Sequence, residues 1–513
     1  MSPKSRFSYL LIFILGYAIS CASPSTETYD LWIKNALIID GTGSDPFWGQ
    51  VLVNGEEIAL VDRDTTKSYT ASEVIDAKGR VLTPGFIDAH SHGNPLETPE
   101  FTNFLAMGAT TIFLGQDGSS PSTTDLGGWM DKVDSLDLGP NIAMFVGHGT
   151  LRMLSGIQYD KDPTEEGLLL MDSLLVDAME AGSFGLSTGL EYNPGYLAGQ
   201  DELNRLAKIT GEHGGMVMSH MRNEDDEYME ESLAELLAQG WYCPVHVSHI
   251  KIVYAKGEER AKEILAILDS ERNQGKTVTA DVYPYEASYT GISLLFPDWA
   301  KPPANYDEVV AQRRQELEKY LRNRVNLRNG PQATLMGTGA FKGKTLKEIA
   351  EELGKPFEKV LVEDIGLSGS AAYFVMDEEV MKTFLKDPNI CVSSDGSPTS
   401  NHPRGHGTFA KIIESYVIEE PLLSLSEAIH KMTELTARKT GISDRGLIRE
   451  GMAADLLVFD PELIKATATY ENPYQLAEGF DVVLVNGKIA FKDGKPMGRQ
   501  GRVLRKVSSG KAL

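Results

Sequence analysis

Gly85-Phe86-Ile87-Asp88-Ala89-His90-Ser91-His92 is a short apolar run that ends in two histidines one residue apart. Side chains alternate faces along an extended chain, so His90 and His92 point to one side and offer two ring nitrogens to one point. Taken alone, such a pair is a common coincidence. Its setting, however, recurs along the chain. Apolar runs at 84–87, 110–114, 142–146, 183–186, 215–218, 244–247, 277–282 and 390–392 read as buried strands. Amphipathic stretches such as 168–181, 201–213 and 258–273 read as helices between them. Repeated β-then-α units predict an α/β fold with the parallel sheet closed as a (β/α)8 TIM-type barrel.

A barrel of that kind carries its chemistry at the C-terminal ends of its strands. The second run ends in Gln116-Asp117 and the third in His148, while the fourth leads through Ser187-Thr188 to Glu191. The fifth ends in Ser219-His220, the sixth in Ser248-His249, the seventh in Tyr283 and the eighth in Asp395. Imidazoles and carboxylates gathered at one face suit Zn²⁺ or a similar first-row ion. Asp395 has three readings: a proton carrier, a metal ligand, or a cap before Gly396-Ser397-Pro398.

Outward from this body, the gap at about 291–388 is too long for a plain loop and is expected to be a helical insertion between strands 7 and 8, near the barrel mouth. Alternating runs at 31–40, 50–54 and 57–61 match others at 454–460, 481–485 and 488–491. Residues 29–82 and 446–507 are therefore expected to form one composite β-sandwich domain beside a barrel of 83–445. At the start, Lys4 and Arg6 precede the apolar run 9–19, the pattern of a secretory signal. Ala18-Ile19-Ser20-Cys21 resembles a bacterial lipobox, with 22–28 as a linker. The expectation is an exported, periplasmic lipoprotein held at the membrane only through lipid on Cys21; ordinary cleavage to a soluble periplasmic protein is the alternative. The run is shorter than the ~20 residues that span a bilayer. A net charge of -24 in 513 residues argues against nucleic-acid partners. Cys243 and Cys391 read as buried free thiols.

The run 85–92 with His220, His249 and Asp395 resembles the amidohydrolase superfamily over nearly the whole body, from Tyr29 to about Arg505. Finer matches resemble its D-aminoacylase (N-acyl-D-amino-acid deacylase) branch. They include Val146-Gly147-His148-Gly149-Thr150-Leu151-Arg152, Gly185-Leu186-Ser187-Thr188-Gly189-Leu190-Glu191-Tyr192, Ser219-His220-Met221-Arg222, His249-Ile250-Lys251, Asp281-Val282-Tyr283-Pro284-Tyr285 and His402-Pro403-Arg404. The resemblance implies one or two zinc ions on His90, His92, Asp117, Glu191, His220, His249 and Asp395. It also implies Asp395 as the catalytic proton carrier, with Lys251, Tyr283, Ser288 and Arg404 receiving a carboxylate on a small-molecule amide. Arg404 paired with a nearby acid and Tyr283 as packing are the plainer alternatives. His148, and Arg222 with Glu224, are candidate orienters of the ligands. One departure stands out: Asp117 occupies a place where members of the branch often carry a cysteine, and an oxygen is a harder ligand than a thiolate. Whether Asp117 or Glu191 bridges is open at this level. The expected reaction is hydrolysis of N-acyl-D-amino acids or of dipeptides ending in a D-residue. A cyclic-amide hydrolase and a non-enzymatic anchored binding protein are the alternatives.

Overall fold

The structure, a computed structural model, describes residues 28–506, so the expected signal and lipobox lie outside the described residues. Eight parallel strands form its centre: β1 (Phe86–Asp88), β2 (Ala109–Leu114), β3 (Asn141–Met144, resuming at Val146–Gly147), β4 (Gly185–Gly189), β5 (Met216–His220), β6 (Val245–Val247), β7 (Val278–Val282) and β8 (Ile390–Val392). Strands β1 to β3 pair in sequence, as do the second segment of β3 to β8. Phe145 N, between the segments of β3, donates to Leu114 O. The end of β8 returns to β1: Asp395 N donates to His90 O at 2.8 Å and His92 N to Gly396 O at 2.7 Å. Every central strand thus has a neighbour on each side. Such strands are covered on both faces, which is why they read as continuous apolar runs.

Helices pack outside them through apolar stripes. Glu165–Glu180 buries Met171, Leu174, Leu175, Ala178 and Met179, spaced to share one face. The Thr164 hydroxyl accepts from Gly167 N to start that helix.

Strands from both ends of the chain do meet in one sheet. Its nine strands run from Lys495–Pro496 through Lys488–Lys492, Phe480–Val485, Leu456–Phe459, Val81–Pro84, Thr28–Ile38 and Phe47–Asn54 to Glu57–Asp62, with Thr70–Asp76 branching from Thr28–Ile38. It is one continuous hydrogen-bonded sheet rather than the two separate sheets of a sandwich. The run read as a single strand at 84–87 is divided here. Pro84 closes a strand of this outer sheet and Phe86 opens β1. Gly85 lies between, where a Cβ would come within 2.2 Å of the Thr110 hydroxyl.

The insertion corrects a second expectation, because it is not purely helical. Ala287–Gly291, Thr334–Met336 and Ser370–Phe374 make a three-stranded antiparallel sheet. The helix Tyr306–Leu327 packs with it around a core of its own that includes Leu317, Leu321, Val325, Ile349 and Tyr373. The next helix, Glu378–Lys386, returns to the central core through Val380, Met381, Phe384 and Leu385.

Candidate metal centre

The strand ends converge. His90 and His92 leave β1, and Asp117 leaves β2 in a tight Gly115-Gln116-Asp117-Gly118 turn. His220 closes β5, His249 follows β6 and Asp395 follows β8. Three of these residues hold a left-handed backbone, Asp117 at φ 53°, His249 at 37° and Asp395 at 47°. This conformation is uncommon outside glycine and persists only where neighbours enforce it. The neighbours are visible. Asp281 on β7 accepts from His249 N at 2.9 Å and from the Ser393 hydroxyl, and its other oxygen holds His246 at 2.6 Å. Asp88 accepts from Ser394 N at 2.9 Å, tying the Asp395 turn to β1. Burial pushes the Asp88 carboxyl up to about 7 against the pull of its Ser394 bonds.

Asp117 stands at the centre. Its Oδ1 lies 3.3 Å from His90 Nε2, 3.4 Å from His249 Nε2 and 4.0 Å from His220 Nδ1, and its Oδ2 lies 3.4 Å from His92 Nε2. Asp395 Oδ1 approaches His92 Nε2 at 3.1 Å, and Glu191 Oε2 meets His220 Nε2 at 3.0 Å. The donors fall into three groups: His90, His92, Asp117 and Asp395; Asp117, His220 and His249; and Glu191, His220 and Glu224. Asp117 belongs to the first two, whereas Glu191 belongs to the third alone. Both ring nitrogens of His90 and Asp117 Oδ1 are buried without a hydrogen-bond partner. Buried polar atoms are normally satisfied, and orphaned imidazole and carboxylate atoms aimed together fit a cation.

Around the donors, Arg404 Nη1 pairs with Asp395 Oδ2 at 2.7 Å, and its Nη2 donates to Tyr289 O. Burial pushes the Asp395 carboxyl up, but the Arg404 charge and the surrounding histidines hold it well below the usual carboxylate range. Lys251 Nζ contacts Glu224 Oε1 and His249 Nδ1, both at 2.7 Å. These groups and Ser288 line a cavity of about 270 Å³. Tyr283 lies against Arg404, its ring centre 4.9 Å from the guanidinium carbon, with its hydroxyl on Met376 Sδ. Glu224 does contact a candidate ligand, His249 Nδ1, at 3.3 Å. His148 and Arg222 do not serve that purpose: His148 bonds Glu202, and Arg222 bonds Glu235 and the carbonyls of Tyr196 and Ala198. The cavity also takes in Tyr192, Asp225, Tyr289, Thr290, Leu294 and Arg328, none of which strand-end reading singles out as a site residue.

The amidohydrolase family model matches residues 326–491. N-acyl-D-aspartate deacylase of Alcaligenes xylosoxydans xylosoxydans is 33% identical over 508 residues, 93% of this chain and 95% of that protein. D-aminoacylase of the same organism is 30% identical, over 94% of this chain and 99% of that protein. The chain is an amidohydrolase of the D-aminoacylase branch. A crystal structure of N-acyl-D-glutamate deacylase from Bordetella bronchiseptica, complexed with zinc and a phosphonate mimic of the tetrahedral intermediate, matches this amidohydrolase with a TM-score of 0.80 at 31% identity. The match covers 93% of this chain and all of that one (100%).

Proposed function

We propose that this amidohydrolase is a zinc-dependent hydrolase that cleaves the amide of N-acyl-D-amino acids, or of dipeptides ending in a D-residue, to a carboxylic acid and a free amino acid. The observation that carries the reading is the placement of Asp395, which faces the donor cluster through one oxygen and the carboxylate-binding Arg404 through the other. The relatives' activities and the zinc of the Bordetella enzyme support it. His90, His92, Asp117, His220, His249, Glu191 and Asp395 would hold the metal, with Asp117 as the shared ligand if two ions bind. When bound, zinc supplies Lewis-acid polarisation and eases the ionisation of water at neutral pH. Arg404, with Ser288 and Lys251 beside it, receives the substrate carboxylate through charge-assisted hydrogen bonds and fixes the scissile amide over the donors. Asp395 takes the proton from the attacking water and passes it to the departing nitrogen, which is a poor leaving group without it. Beyond Glu191, Asp225 and Leu294 a second cleft of about 1050 Å³ leaves room for the acyl group.

The test is amine release from N-acetyl-D- and N-acetyl-L-amino acids, D-terminated dipeptides and a hydantoin, before and after chelation. Release from linear D-substrates that stops on chelation and returns with Zn²⁺ is expected. Activity in metal-free protein, equal turnover of L-substrates, or ring opening alone would overturn the reading.

The same reading takes the eight central strands as a (β/α)8 barrel at 83–445. The outer sheet becomes a companion domain formed by 29–82 and 446–507, and the insertion covers about 291–388. The return of β8 to β1 supports closure. It further takes the chain as exported, with Cys21 lipidated. Cys21→Ser is expected to move the protein out of the membrane fraction, and unchanged membrane association would defeat the anchor.

A further inference from the structure

Arg404 opens the helix Arg404–Ile413, and Pro403 before it makes no side-chain capping bond. The first amides of a helix have no acceptor within it and need one from outside. Arg404 N finds its acceptor two residues back, in His402 Nδ1 at 3.1 Å. The far side of the same ring reaches across to the insertion sheet, where Nε2 donates to Ala287 O at 3.1 Å. A backbone amide only donates and a carbonyl only accepts. Both bonds therefore form at once only on a neutral imidazole that carries its proton on Nε2. Burial and the neighbouring Arg404 charge push the His402 imidazole well below its usual range, which favours that form.

Ala287 begins Ala287–Gly291, which is an edge strand of the insertion sheet. Two residues on, Tyr289 O accepts from Arg404 Nη2 at 3.2 Å, and Ser288 stands between the two carbonyls. Arg404 is thus fastened twice to alternate carbonyls of one strand, its guanidinium directly and its backbone through His402. The His402 ring is wholly buried, with the rings of Tyr470, Tyr285 and Tyr289 edge-on to it at 5.0, 5.4 and 6.0 Å. Packed on these sides, it is held in the orientation that both bonds require.

We propose that His402 is a positioning residue that fixes Arg404 and Ser288 at one spacing across the seam between the central strands and the insertion, so that they receive the substrate carboxylate together. The proposal rests on the hydrolytic reading above, in which Arg404 takes that carboxylate. A guanidinium fork binds a carboxylate well only when both groups are held in register, and a shift of about 1 Å at a positioning group is enough to cost a large factor. Substitutions separate the two bonds of His402. Asparagine can still accept from the amide two residues on, as it does in turns, but ends short of Ala287 O. Phenylalanine keeps a ring among the tyrosines and makes neither bond.

The test uses zinc-loaded full-length wild type, His402→Phe and His402→Asn. Each is assayed on the N-acetyl-D-amino acid that wild type cleaves fastest and on the primary amide of the same compound, which lacks the carboxylate. Wild type is expected to favour the acid over the amide by about 100-fold in kcat/KM. His402→Phe is expected to raise KM for the acid about 10-fold or more while its kcat and the kcat/KM for the amide stay within about 3-fold, so that the preference shrinks. His402→Asn, which regains one bond, falls between the two. A purely structural loss would lower turnover of acid and amide alike. An unchanged acid-to-amide ratio in His402→Phe, or in His402→Asn if the first variant does not fold, therefore overturns the proposal. A wild type indifferent to the carboxylate would remove the role of Arg404, and this proposal with it. Cleavage of no N-acetyl-D-amino acid would instead remove the hydrolytic reading on which both rest.

Discussion

Asp395 cannot be altered without touching Arg404, because the two are paired at 2.7 Å. Asparagine keeps the size and one oxygen but takes no proton at neutral pH. Asp395→Asn is expected to lower kcat by about 10²–10⁴ while bound zinc, measured by atomic emission, stays close to wild type. Since the amide no longer holds Arg404 by charge, KM stays level or falls, and the effects of changing both residues will not add. A kcat near wild type would assign the proton transfer elsewhere. Asp117 carries a different expectation. It belongs to two donor groups, so Asp117→Ala should deplete metal from both, and a full complement of metal in that variant would remove it from the ligand set. Cys243 and Cys391 are buried and free, and burial pushes both thiols up to about 12. Little thiolate exists at pH 8, so a thiol reagent should label neither in the native protein and both after denaturation. Rapid native labelling would contradict their burial.

The elements differ in how openly the sequence announces them. The donors were legible because each follows a strand buried on both faces, and such strands appear as unbroken apolar runs. His90, His92, Asp117, His220, His249 and Asp395 could be picked out by position for that reason. The division at Gly85 was not legible, since Val81–Pro84 and Phe86–Asp88 are equally apolar and only packing against Thr110 separates them. The antiparallel sheet of the insertion was missed because Ala287–Gly291 and Thr334–Met336 are short and partly polar, and their pairing comes from partners distant in the chain. At this scale the turn after β2 is the most exacting element. Gly115 has φ +82°, and a Cβ there would stand 2.0 Å from Phe145 O. Gly115→Ala is expected to cost upwards of about 1–3 kcal/mol and to weaken zinc retention, because the same turn aims Asp117. Thermal unfolding and metal content measure the two effects; a variant unchanged in both would show that the turn yields easily.

Across the whole molecule, the outer sheet and the central strands are joined at a buried polar node. Asp455, just before the strand Leu456–Phe459, accepts from Arg445, from Asn486 N at 2.7 Å and from Asn141 at the start of β3 at 3.1 Å. Asp455→Ala would leave Arg445 to Asp444 as its remaining acid, which holds it at 3.0 and 3.2 Å, and would remove the acceptor of Asn486 N and Asn141; it is expected to cost about 1–3 kcal/mol, read as a lowered Tm by calorimetry. An unchanged Tm would mean that the node adds nothing to the joint between the outer sheet and the central strands. The pairing of Asp395 with His92 spans 303 residues of chain. During synthesis at about 5–20 residues per second, Asp395 therefore follows His92 by roughly 15–60 s. A nascent chain that has reached His249 already carries all four histidines of the donor cluster and Asp117, yet lacks Asp395 and Arg404. With these residues in the roles proposed above, it has the means to capture an ion before it has the means to cut an amide, so hydrolytic competence arrives only late in the chain.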